Sequence, residues 1–294
     1  MKEKQTRRDF LKVSGGLAAV GAIGGAGLLS ACARSEGDGK AATRPFGLQL
    51  YTLRDVLPGD PRGVLKQVAD FGYDQIESYE GAQGIFWGMG NTGFKSYLEE
   101  LGMTALSSHV GNFNEFESFR KKADEAAAIG MKYLICPYAK RETLDQYRAL
   151  ADDFNKAGEI AKAAGIRFAY HNHAYSFEKV DGQYPQDIFM ERTSPELVDF
   201  EMDIYWVVYA DEDPVAWLKK YEGRFTLSHV KDLRRDGETQ STTLGRGVID
   251  WGPLLSTARG LGMKYFIVEQ EQYAGTSPLE ATKDNAQFLA KLSY

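Results

Sequence analysis

Five times along the chain an amphipathic stretch ends in glycine and, one residue later, becomes a short β-type run: FGYDQIE, LGMTAL, IGMKYL, AGIRFA and LGMKYF. Glycine accepts the left-handed backbone that closes a helix, so each junction reads as a helix turning directly into a strand. Eight β-type runs can be placed, at 46–51, 73–78, 103–109, 132–136, 166–171, 198–203, 225–230 and 265–270. Between them lie stretches such as PRGVLKQVADFG, FESFRKKADEAAAIG and LDQYRALADDFNKAGEIAKAAG, with apolar residues three and four apart. Eight β/α units of about 30 residues each predict an α/β fold of the (β/α)8 TIM-barrel type. A doubly wound sheet would place a glycine-rich phosphate loop after the first strand, where this chain has YTLRDVLPGDP.

The N-terminus stands apart from that pattern. TRRDFLK, with Arg7 and Arg8, leads into GGLAAVGAIGGAGLL and ends at LSAC. The order resembles a twin-arginine (Tat) export signal joined to a lipoprotein cleavage box, with Cys32 carrying the lipid. The apolar run falls short of the roughly 20 residues of a spanning helix. The expected organisation is a signal peptide at 1–31, a polar tether at 32–45 and a barrel at 46–294, in an exported, periplasmic lipoprotein held to the membrane by its lipid alone. Losing 1–31, with Lys2, Lys4, Arg7, Arg8 and Lys12 against Glu3 and Asp9, moves the net charge from −6 to −9. Such an acidic chain has no electrostatic reason to bind nucleic acid. Cys136, in the apolar run YLICPY, is left without a disulfide partner and reads as a buried small hydrophobe.

In a TIM barrel the chemistry sits at the C-terminal ends of the strands. His109 ends the third strand, His171 and His173 the fifth and His229 the seventh, so all four histidines fall at one rim. The last four strands each end in metal-ligand types: HNH at 171–173, EMD at 201–203, HVKD at 229–232 and EQE at 269–271. Side-chain alternation pairs His171 with His173, Glu201 with Asp203, His229 with Lys231 and Glu269 with Glu271. Parity cannot choose within a pair. Depth favours His171, His229 and Glu269, and leaves Glu201 and Asp203 open.

From GLQLYTLRD onward the chain resembles the sugar phosphate isomerase/epimerase family with the xylose-isomerase-like barrel. GYDQIE, His109, MDIYWVVYADEDPVAWLKKYEGRF, LSHVKD, GRGVIDW and YFIVEQE carry the likeness. It implies a divalent metal held by His171, Asp203, His229 and Glu269. Two departures stand out: His171 occupies a place usually taken by glutamate, and Trp206 one where some members have histidine. The first puts a symmetrical two-glutamate proton exchange in doubt.

Two imidazoles and two carboxylates suit Mn, Fe, Co or Zn better than Mg. Glu269 is the expected base, with His173 or Lys231 moving protons at oxygen, although Lys231 has an alternative partner in Asp232. Gln49, Tyr51, Glu77 and His109, at the ends of the first three strands, are candidate contacts to sugar hydroxyls, as is Arg235 by resemblance. Trp206, Tyr209, Phe86 and Trp87 are candidates for an apolar wall, and GRG at 245–247 reads as a turn. The expected activity is isomerisation or epimerisation of a free sugar or sugar derivative through an enediolate. The alternatives are a 3-keto-glycoside lyase and a non-catalytic carbohydrate-binding lipoprotein. A multi-zinc nuclease would need a basic face that this chain lacks. The oligomeric state is left open.

Overall fold

The computed structural model describes residues 45–235 and 239–294; the leader, Cys32 and all of the tether except Pro45 lie outside them. The five junction glycines, Gly72, Gly102, Gly130, Gly165 and Gly262, all have positive φ, between 74° and 102°. Helix Leu144–Ala164 shows the construction. A capping box between Thr143 and Gln146 opens it, and Gly165, in the left-handed region at φ 88°, closes it with N–H bonds to Ala161 and Lys162. A β-carbon there costs roughly 1–2 kcal/mol.

The strands are β1 (Gly47–Gln49), β2 (Gln75–Tyr79), β3 (Thr104–His109), β4 (Tyr133–Cys136), β5 (Arg167–His171), β6 (Val198–Asp203), β7 (Phe225–Val230), β8 (Asp232–Arg234), β9 (Gln240–Thr242) and β10 (Tyr265–Val268). Eight of them close a parallel barrel in the order β1-β10-β7-β6-β5-β4-β3-β2. The predicted α/β barrel is therefore the observed one. β1 stops earlier than expected because the Gln49 side chain accepts the Tyr51 N–H at 2.9 Å and bends Leu50–Leu53 into a 3-10 turn. β10 also ends early, at Val268, and beyond it the Gln270 N–H turns to Thr52 Oγ1.

The antiparallel pair β8–β9 was not anticipated. It begins at Asp232, whose buried carboxylate accepts the N–H groups of Leu233, Gly245, Gly247 and Ile249. GRG is thus a turn wrapped on a carboxylate, and Asp232 is not the partner of Lys231. A β-carbon on Gly247 would lie 2.1 Å from Asp232 Oδ1.

Apolar side chains fill the space between strands and helices, Phe154, Phe168, Phe189 and Phe200 among them. Cys136 lies buried in this layer as expected, and burial pushes its thiol up to about 12. A second, smaller cluster of Leu106, Tyr133, Ile135, Ala169, Leu227 and Ile267 plugs the barrel interior. Further along β5, β7 and β10 on the same parity come His171, His229 and Glu269. The chemistry therefore rests on an apolar floor. Among the described residues no helix is long and apolar enough to cross a membrane.

Candidate metal centre

Above that floor lies a layer of imidazoles and carboxylates. Glu77, at 0 % exposure, accepts from Gln49 Nε2 at 2.8 Å and Ser107 Oγ at 2.6 Å, and faces His229 Nε2 at 2.7 Å and His109 Nε2 at 3.2 Å. Burial alone would raise its pKa, but the two imidazoles hold its carboxyl well below the usual range. Glu201 Oε2 meets His109 Nε2 at 2.9 Å, His171 Nδ1 at 3.2 Å and His229 Nε2 at 3.3 Å. Burial and then the charge on Glu77 push Glu201 up to about 7. His109, despite burial, is raised to about 9 by Glu77 and Glu201. Each nitrogen on the lower side of His171 and His229 is thereby committed to a carboxylate.

Their other nitrogens face the rim. His171 Nε2 lies 3.8 Å and His229 Nδ1 3.7 Å from Asp203 Oδ2, and His229 Nδ1 lies 3.2 Å from Glu269 Oε2. Asp203 Oδ2 is buried with no hydrogen-bond partner. Two ligands of one ion bonded at about 2.1 Å stand about 3–3.5 Å apart, close to these separations. An orphaned carboxylate oxygen between two imidazoles, with a second carboxylate alongside, fits a divalent ion. The ligands would be His171, Asp203, His229 and Glu269. Donor atoms of Asp203, His229 and Glu269 lie within 4.8 Å of one another, and so do those of the deeper set His109, His171, Glu201 and His229, with His171 joined to the upper group by its approach to Asp203 Oδ2. There Glu201 Oε2 already faces three imidazole nitrogens, while its Oε1 is buried without a partner; this layer stands where it would orient the ligands above it.

Asp203 itself is clamped. Asn172 donates from Nδ2 to the Asp203 carbonyl and accepts the Asp203 N–H at Oδ1, at 3.1 and 3.2 Å, while Asp203 Oδ1 caps the following helix at Trp206. In HNH, the asparagine therefore joins β5 to β6 beside the histidine that faces the rim.

Lys231 is buried and donates to Glu269 Oε2 at 3.0 Å and to Glu271, with Asp203 Oδ2 at 3.7 Å. Burial opposes its charge, but Glu269, Asp203 and Glu271 outweigh burial and raise its pKa. Its ammonium also lies 4.9 Å from the Tyr205 ring centre and 5.2 Å from that of Trp206. His173 packs parallel to Tyr175, with its Nδ1 buried and unpartnered, and burial lowers it to about 4. It is a neutral imidazole at pH 7.

These groups border a cavity of about 390 Å³ lined by Tyr51, Tyr79, Glu80, His109, Gly111, Pro137, Tyr138, His171, His173, Glu269 and Glu271. Tyr51 and His109, expected at a sugar, line it. Gln49 and Glu77 do not: both are wholly buried, where their polar atoms hold each other and His229. Arg235 points elsewhere and pairs with Asp211 at 2.9 Å. Phe86 and Trp87 are buried too, and Trp87 bonds Ser78. The wall is instead made by Tyr51, Tyr79 and Tyr138. Tyr79 ends β2 and Tyr138 follows β4 by two residues, so the strand-end rule applied to all eight strands would have reached them. Among the described residues no Lys or Arg lines the cavity, while three carboxylates do.

A model of the family described as xylose isomerase-like TIM barrel matches residues 65–292, and one for the TAT (twin-arginine translocation) pathway signal sequence matches residues 4–24. A sugar phosphate isomerase/epimerase from Parabacteroides distasonis superposes with TM-score 0.74 at 28 % identity, covering 85 % of this chain and 94 % of its own. A second from the same organism gives TM-score 0.73 at 30 % identity, covering 84 % and 98 %. The inosose dehydratase of Clostridium beijerinckii is 28 % identical over 158 residues, 48 % of this chain and 49 % of that one. The chain spans about half the length of the curated relatives it matches.

Proposed function

We propose, from the premise that this chain belongs to the xylose isomerase-like TIM barrel family, that it is a divalent-metal-dependent isomerase or epimerase. Its substrate is an unphosphorylated sugar or sugar derivative. One observation carries the reading: the donor set around the orphaned Asp203 oxygen opens into a cavity lined, among the described residues, by carboxylates and tyrosines and by no Lys or Arg. A phosphate would meet Glu80, Glu269 and Glu271 with no Lys or Arg among the described lining residues. Neutral hydroxyls find acceptors there.

A divalent ion held by His171, Asp203, His229 and Glu269 supplies Lewis acidity toward vicinal sugar oxygens. The chain's own groups move the protons. Glu269, kept ionised against the effect of burial by Lys231 and His229, takes the proton from the carbon beside the carbonyl, and the electron pair passes to the carbonyl oxygen as an enediolate. Lys231, a cation held beside Glu269, stabilises that negative charge. His173, a neutral imidazole lining the cavity, accepts a hydroxyl proton, which an isomerisation returns to oxygen. Reprotonation at the neighbouring carbon by Glu269 completes an isomerisation. Reprotonation of the original carbon from the other face by the protonated His173, with the Glu269 proton passing to the oxygen, completes an epimerisation.

A second reading, loss of a substituent β to the carbonyl, is favoured by the Lys231 ammonium 3.0 Å from Glu269: acid and base stand side by side, as elimination needs. The dehydratases among the relatives support it. The twin-arginine leader directs export. Cleavage before Cys32 and its lipidation, leaving 33–45 as a tether to a periplasmic barrel, belong to the same proposal.

The test is incubation of metal-loaded protein with free and 3-keto sugars in D2O. Deuterium at the carbon beside the carbonyl of recovered sugar, absent in His229→Ala, supports the isomerase/epimerase reading. An unsaturated product favours elimination. Absence of exchange and of product across the panel, with no metal retained by either protein in elemental mass spectrometry, refutes both.

A further inference from the structure

Among the described residues four large hydrophobic side chains are exposed, Tyr51, Tyr138, Tyr209 and Val248, and two of them line the same cavity. Tyr51 is 39 % and Tyr138 59 % exposed, whereas the ligand types on the floor, His171 and Glu269, are 3 % and 5 % exposed. β1 and β4 are separated by β2 and β3 on one side and by four strands on the other, so the tyrosines stand across the mouth from each other. Neither ring is loose. Tyr138 is held edge-on by His173 at 5.3 Å and Tyr175 at 5.2 Å. Tyr51 is held edge-on by Tyr79 at 5.2 Å, itself packed on Trp87, with the Arg54 guanidinium over its ring at 4.8 Å.

Resting on the reading of the floor as a sugar site, we propose that the mouth is a second ring subsite. Its ligand is a glycoside of two rings, a disaccharide or an aryl glycoside, rather than a monosaccharide. A sugar ring whose oxygens reach His171 and Glu269 carries its glycosidic substituent outward. There the substituent meets two rigid aromatic faces that lose little freedom on binding it. The C–H face of a pyranose, or an aryl ring, suits the negative face of a tyrosine. The neighbouring Glu80 and Glu271 accept its hydroxyls.

Isothermal titration of the metal-loaded protein with methyl glucoside and with a two-ring glucoside, neither carrying a carbonyl and so neither turned over, tests this. The expected result is binding of the two-ring ligand about tenfold tighter than its methyl counterpart. Tyr138→Ala should abolish that preference, lowering the affinity for the two-ring ligand more than that for methyl glucoside, and Tyr138→Trp should retain it. Equal affinity for the two ligands overturns the subsite and leaves the sugar site standing. Binding of neither, with metal retained in Tyr138→Ala and its parent, overturns both.

Discussion

Replacing Glu77 by Gln should weaken metal binding although Glu77 is not among the proposed ligands. For Nδ1 of His229 to present a lone pair toward Asp203 and Glu269, the ring proton must sit on Nε2, which faces Glu77 Oε1 at 2.7 Å. A carboxylate can only accept and so enforces that tautomer. An amide can turn its NH2 toward Nε2, and the proton then moves to Nδ1, where it blocks the ion. Gln also cannot accept from all four groups around Glu77, namely Gln49, Ser107, His109 and His229. One buried donor is left unsatisfied, at about 1–3 kcal/mol. Losing the orienting carboxylate should lower metal affinity about 10–100-fold, equivalent to about 1.4–2.7 kcal/mol. Chelator competition with Zn or Mn measures the affinity, and calorimetric unfolding of the metal-free protein measures the stability term. A folded Glu77→Gln protein that binds metal within about twofold of the parent would remove the orienting role.

Two further outcomes follow from the same geometry. Burial opposes the charge on His229, but Glu201, Glu269 and Asp203 raise its pKa well above the ordinary value, so the metal-free ring is protonated at pH 7. Ligation needs the neutral ring, so loading must release protons, and apparent affinity must rise with pH until the raised pKa is passed. Titrating metal in buffers of different ionisation enthalpy checks this, and a heat independent of buffer contradicts it. Gly247→Ala, which brings a β-carbon against Asp232 Oδ1 and the Leu233 carbonyl, should lower unfolding free energy by about 1–3 kcal/mol. An unchanged melting curve sinks the account of Asp232 as the peg of that turn.

Glycine-closed helices announced the barrel because a left-handed residue followed by a short run leaves little room for any other connection. β6 and β7 kept their expected bounds, since Val198–Asp203 and Phe225–Val230 are buried along their whole length. Depth was harder to read. Glu77 and Gln49 look like rim residues in sequence. In space, β1 bends away at Leu50, and the β2–β3 register shifts between Ile76 and Glu77, placing Glu77 beside Ser107 beneath the imidazoles. Glu201 stayed undecided against Asp203 for a related reason: alternation puts both inside, and only the register with His171 and His229 separates the layer below from the rim. The hairpin β8–β9, short and polar, has no periodicity to betray it.

Lys231 changes what acquiring an ion means for this barrel. Asp203 and Glu269 are never left facing each other bare, because an ammonium from β7's own continuation already lies 3.7 Å and 3.0 Å from them. An incoming divalent ion would therefore join a resident cation instead of filling an unscreened charge, and two positive charges would share one pair of carboxylates. Lys231 has in Glu271 a further anchor, at the wall of the cavity where a substrate oxygen would arrive.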